Sequence, residues 1–133
     1  MEPRFSLNRD QINLVVANFY AKVRADKVLG PVFAAHVTDW RAHEIKIGNF
    51  WSNAILRTHS YDGNPMQAHI AAGNVKSEYF VTWLALFDEV LAQELPREAA
   101  LVWSHLAHRI GRGLSSGLDF HCEHSSGAPR LRP

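Results

Sequence analysis

Apolar side chains return every three or four residues through most of this chain, and nowhere do they alternate with period two for long enough to make a sheet. That spacing gathers them on one face of an α-helix, since 3.6 residues complete a turn. Ile12, Val15, Val16, Phe19, Tyr20 and Val23 make the first stripe. Trp40, His43, Ile47, Phe50, Trp51 and Ala54 make the second. Phe80, Trp83, Leu84, Phe87 and Leu91 make the third, and Ala99, Val102, Leu106, Ile110 and Leu114 the fourth. The expected fold class is all-α.

Local signals set the helix ends. Asn8 is placed to cap the first helix, with Gln11 in the reciprocal capping-box position. Gly30-Pro31 breaks it, and Pro31 is placed to open a short helix running through Phe33. Asp39 can cap the second stripe, whose helix should end in the turn-rich segment 58–65. A short helix over 66–72 stops at Gly73, a residue suited to a helix C-terminus. Ser77 is the expected cap of the third stripe, and Pro96 the expected opener of the last helix. Past Phe120 the tail HCEHSSGAPRLRP is rich in Gly, Pro, Ser and charge, and it reads as frayed or disordered. The expected organisation is one domain over 1–120 and a tail over 121–133.

Composition removes several function classes. At 133 residues the chain has the size of one domain. Its single cysteine, Cys122, cannot form an internal disulfide and suits a reducing compartment. A formal charge of +1 leaves no basic footprint for nucleic acid or for a polybasic membrane binder. The longest apolar run, 79–87, is far short of the ~20 residues that span a bilayer. The first ten residues carry no apolar signal core, so a cytoplasmic location is expected.

Eight histidines remain to be explained. His36 and His59 fall in expected loops, and His121 and His124 in the tail. His105 and His108 miss the Val102–Leu106–Ile110 line. These six read as solvated or rim residues. His43 lies inside an apolar stripe, and His69 sits among Ala68, Ile70, Ala71 and Ala72 with no local hydrogen-bond partner in view. Tyr20 and Trp83 each direct one polar hydrogen from a core face. The plainer alternative is an ordinary core in which all four are satisfied. Four helix faces each pointing one polar group inward suit a guest better, and haem is the economical one. It is a flat apolar ring that wants one imidazole.

At these residues the sequence resembles the truncated haemoglobins, and within them the third group. The likeness runs from about Phe5 to Phe120. It is carried by FYAKVRADKVLGPVF (19–33), WRAHEIKIGNFW (40–51), YDGNPMQAH (61–69) and FVTWLALF (80–87), each a different wall of one pocket. Groups one and two typically place paired glycines between helices. This chain has no Gly-Gly, and it has a histidine at the distal position, which points to group three. The resemblance implies a globin-like two-over-two helical sandwich around haem b, iron protoporphyrin IX. By position, His69 matches the proximal iron ligand, Tyr20 the distal tyrosine, Trp83 the distal-side tryptophan and His43 the distal histidine. Ile47 matches a residue packed over the haem. Phe33, Phe50, Met66 and Phe80 match apolar wall, and Lys46 a propionate partner at the pocket edge.

The implied function is binding of O₂ and other diatomic gases, NO and CO, at a His-ligated iron. It admits redox turnover as well, either nitric oxide detoxification or a peroxidase-like reaction with an unidentified reductase. The alternative is a non-enzymatic globin whose occupancy by O₂ or NO is itself the signal. A third reading is a haem-free helical protein with a metal at His121, Cys122, Glu123 and His124. Four consecutive side chains do not easily converge on one tetrahedral site.

Overall fold

The computed structural model describes residues 7–58, 63–73 and 75–126, and every regular element among them is a helix. In chain order these are α1 (Arg9–Ala25), α2 (Leu29–Ala34), α3 (Trp40–Leu56), α4 (Pro65–Ala72), α5 (Tyr79–Glu94) and α6 (Arg97–Ser126). The all-α expectation holds. Helix α1 packs against α2, α3 and α5, while α6 packs against α4 and α5. Two helix pairs, α1 with α3 and α5 with α6, are thus joined through α1 and α5 in the expected two-over-two arrangement.

The first helix starts where the sequence says it should. The Asn8 side chain accepts from the Gln11 backbone N–H at 2.8 Å, and Gln11 Oε1 accepts from Asn8 N–H at 2.9 Å. Such a cap is worth about 1 kcal/mol. Its buried face, Ile12, Val15, Val16, Phe19, Tyr20 and Val23, matches the sequence stripe residue for residue. Asp39 caps α3 by accepting from Ala42 N–H at 3.1 Å. Helix α4 ends at Gly73, whose φ of +83° suits a residue without Cβ.

Three local expectations are corrected. Helix α1 stops at Asp26 rather than at Gly30-Pro31, and the Asp26 carboxylate then accepts from Val28 N–H and Leu29 N–H at 2.9 and 2.8 Å. The acid therefore starts α2, and Pro31 is its third residue, where a missing N–H costs nothing. Ser77 does not cap α5, because its hydroxyl donates to Asp119 on α6 at 2.6 Å. On α6 Trp103 is fully enclosed, with Leu106, Ala107 and Leu118 also buried, whereas Val102 is 38% exposed. Helix α6 runs to Ser126. The side chains beyond Phe120, and so the four possible metal ligands of the tail, lie outside the described residues, as do Tyr61 and His59.

Aromatic rings fill the centre. Phe87 lies between Trp51 and Trp83, at centroid distances of 5.5 and 5.6 Å and interplanar angles of 17° and 4°. Phe19 and Trp103 meet it edge-on at 5.0 and 5.5 Å. Stacked and edge-to-face pairs are each worth about 0.5–1.5 kcal/mol beyond burial. This cluster fixes the ring plane of Trp83, whose edge belongs to the cavity described next.

Candidate functional site

A cavity of about 340 Å³ opens between the helix pairs, and all six described helices contribute to its wall. That volume falls in the range of small-molecule and cofactor sites. Most of its lining is apolar, including Phe33, Ile47, Phe50 and Phe80. The polar exceptions are few: Tyr20, His36, His43, Lys46, His69, Tyr79 and Trp83. The structure therefore brings every expected site residue to one cavity except Met66, whose side chain lies outside the described residues.

His69 reaches the cavity from α4. Its Nδ1 lies 2.6 Å from the Pro65 carbonyl oxygen, one helical turn back on α4. A carbonyl only accepts, so Nδ1 carries the proton and donates, and in the neutral ring Nε2 keeps its lone pair. Metal-binding histidines use this same device to fix their tautomer. The Phe80 ring, 5.7 Å from the imidazole, limits its swing.

The opposite wall is built from α1, α2, α3 and α5. Tyr20 is 2% exposed, and its ring meets the His43 ring edge-on at 5.0 Å. Phe33 touches both, at 5.7 and 6.0 Å. Burial, seconded by the negative charge of Glu44, pushes the Tyr20 phenol well above its usual range, so it stays protonated and able to donate. Burial, seconded by the charge of Lys46, lowers the proton affinity of His43 and favours its neutral ring. Among the described residues its Nε2 is buried without a hydrogen-bond partner, as is Trp103 Nε1 in the aromatic core. Trp83 is anchored by Phe19 and Phe87 and completes this wall. Lys46 is exposed at the rim, one turn beyond His43.

Several lining residues escaped the sequence reading. His36, taken as a solvated loop residue, is indeed exposed but borders the cavity, because the chain folds back after α2 with Val37 N–H donating to the Phe33 carbonyl at 2.8 Å. Val75 enters the wall from the segment before α5, Tyr79 from the first residue of α5, and Ile110 and Leu114 from α6. Only the last two sat on a stripe that pointed to them. His105 and His108 stay away from the cavity, and His108 Nε2 instead meets Asp88 at 2.8 Å. Among the described residues, no group of three or more His, Cys, Asp or Glu side chains comes together to hold a bare metal ion. No described helix is long and apolar enough to cross a membrane.

Comparison with known proteins adds an independent line. The chain is 38% identical over 90 residues to the group 3 truncated hemoglobin ctb of Campylobacter jejuni, a match covering 65% of this chain and 71% of that one. It superposes on the crystal structure of the group III truncated hemoglobin from Campylobacter jejuni with a TM-score of 0.81 at 34% identity. That superposition covers 89% of this chain and 95% of the other. No family model matches the sequence.

Proposed function

This chain belongs to the group III truncated haemoglobins, and from that premise we propose that it binds haem b through His69 and holds diatomic gases on the opposite side of the cavity. The carrying observation is the hydrogen bond from His69 Nδ1 to the Pro65 carbonyl. It presents an unprotonated Nε2 to an apolar cavity, which is what an iron ligand requires. One imidazole holds iron firmly when a ring such as porphyrin supplies the other donors, and the mostly apolar walls suit such a ring. The His43 ring lies in the wall of the same cavity, beside Tyr20.

Haem, when bound, supplies an iron with a position open to O₂, NO or CO, and a centre that can exchange electrons. The chain's own residues do the rest. His69, held in one tautomer by the Pro65 carbonyl, would hold the iron. Phe33, Ile47, Phe50 and Phe80 would exclude water from the faces of the ring. Lys46 at the rim meets carboxylates of the ring edge with its positive charge. Tyr20 O–H and Trp83 N–H are donors for a polar diatomic guest, and His43 adds a third group that can donate or accept. Each donor to a charged guest contributes about 1.5–3 kcal/mol, so two slow release by roughly two to four powers of ten.

Slow release suits chemistry on the held gas better than carriage. Nitric oxide removal or peroxide reduction, fed by a cytoplasmic reductase, is the reading this favours. A globin that only binds or senses O₂ or NO is the alternative, and turnover of NO in the presence of O₂ and a reductase separates the two. The central assignment is tested by the visible spectrum of the purified protein supplied with haem, with and without His69→Ala. A haem spectrum that collapses in the variant is expected. A colourless wild type, or an unaltered spectrum in the variant, overturns it.

A further inference from the structure

Outside the cavity wall lies a second arrangement that gas binding does not use. Tyr20 and Arg24 are one turn apart on α1, and Trp40 and Glu44 are one turn apart on α3. The two turns face each other. The Arg24 guanidinium carbon lies 4.6 Å from the centroid of the Trp40 ring, and Arg24 Nη2 lies 3.4 Å from Glu44 Oε2. Trp40 in turn touches Tyr20 at 6.0 Å, His43 at 6.0 Å and Phe33 at 6.3 Å between ring centroids. Those three line the cavity, and Trp40 does not. Trp40 is therefore the backing of the distal wall, and Arg24 with Glu44 holds the backing in place.

The position in the fold matters as much as the contacts. Trp40 is the first residue of α3, and helix ends open more readily than helix centres. The Arg24 and Glu44 side chains are 46% and 25% exposed, so neither their ion pair nor the contact with Trp40 is locked in by burial. The His43 and Phe33 rings both rest on the Trp40 ring, so an outward movement of either toward it requires Trp40 to yield. An arrangement of this kind is closed most of the time and opens easily.

We propose that Arg24, Trp40 and Glu44 form a latch that sets how fast small gases pass the His43 side of the cavity. The inference rests on the haem reading above for its ligand, though the latch itself is a property of the polypeptide. These are positioning residues: none touches the guest, and each acts through Tyr20, His43 or Phe33. A latch has a distinctive kinetic mark. It lowers or raises one barrier in both directions, so association and release change by the same factor and affinity stays put. A lost hydrogen-bond donor would change release alone.

The test compares wild type with Arg24→Ala, reading CO association after flash photolysis and CO release by displacement with NO. Loss of one exposed ion pair and one exposed cation–π contact should speed both by about three- to tenfold, with unchanged CO affinity. Arg24→Lys keeps the charge but not the flat stack, and should fall between. Lys22→Ala, on the same helix as Arg24, removes the unconnected pair that Lys22 makes at 3.5 Å with Glu89 of α5, and it should change neither rate. In the haem-free protein, amide hydrogen exchange over residues 40–46 should quicken in Arg24→Ala while 84–91 stays as in wild type. Rates within about twofold of wild type, a change in release alone, or unaltered exchange over 40–46 would each overturn the latch. A wild type that takes up no haem would refute the function separately, and hydrogen exchange would still decide the latch.

Discussion

Gly30→Ala sets two effects of opposite sign against each other at one atom. Gly30 is the second residue of α2, and helix propensity alone would make alanine better there by about 0.5–1 kcal/mol. The space says otherwise. A Cβ on residue 30 would sit 2.8 Å from the Arg24 carbonyl oxygen and 3.4 Å from that of Val23. Both neighbours are backbone at the end of α1, and no rotamer change moves them. Relief requires α2 to shift bodily, and overpacking of this kind costs about 1–3 kcal/mol. The clash should win. Gly113→Ala is the matched control, since nothing lies within 4 Å of a Cβ there. It should gain the propensity term undisturbed. The difference between the two variants cancels that term and isolates the clash, at about 1–3 kcal/mol. With a urea slope of about 1–3 kcal/mol/M for a small protein, the two midpoints should differ by roughly 1 M. Phe33 on the shifted helix touches Tyr20 and His43, so the distal wall should loosen with it. Equal midpoints, or Gly30→Ala at or above wild type, would refute the reasoning.

Other expectations follow from the same contacts. Tyr20→Phe combined with Trp83→Phe should speed O₂ release by roughly two to four powers of ten in stopped-flow displacement, and an unchanged rate would sink the donor argument. Phe87→Leu should lose about 1–3 kcal/mol in urea unfolding, because both flat stacks and two edge contacts go with the ring. Its near-ultraviolet circular dichroism should weaken too, as Trp83 loses the surface that fixes its plane. In the haem-free protein, His43 should make stability fall as pH drops. Burial, then Lys46, lowers its proton affinity in the fold, so below its ordinary value of 6.5 the unfolded chain takes up a proton that the folded one resists. Above that pH it contributes no dependence. His43→Leu should flatten this part of the stability profile, and an unchanged slope in urea titrations between pH 5 and 7 would count against it.

The sequence carried what depends on near neighbours along the chain. Helix periodicity, the Asn8 and Asp39 caps and the stop at Gly73 are each decided within a few residues, and each was legible. The stripe on α6 was misjudged by one residue for a geometric reason. A line drawn at steps of four drifts round the helix by about 40° per step, so Val102–Leu106–Ile110 ends on a different face from where it began. Trp103 lies on the buried side of that drift. Ser77 was misread because its partner, Asp119, lies on another helix. The cavity residues Tyr20, His43, His69 and Trp83 could be named from their places on apolar faces and from the family resemblance. That Tyr20 and His43 meet at 5.0 Å, or that Arg24 braces Trp40, depends on how α1 crosses α3. No stretch of sequence states that crossing.

The bond between His69 and Pro65 has a consequence for how such a protein can change. It ends on a main-chain oxygen, and every amino acid brings one. No substitution at position 65 can delete the acceptor; only unwinding the first turn of α4 can. The choice of which imidazole nitrogen faces the cavity is therefore heritable without being encoded in any neighbouring side chain. Mutation can drift across the rest of α4, through residues such as Ala68 and Ala72, and leave that choice standing.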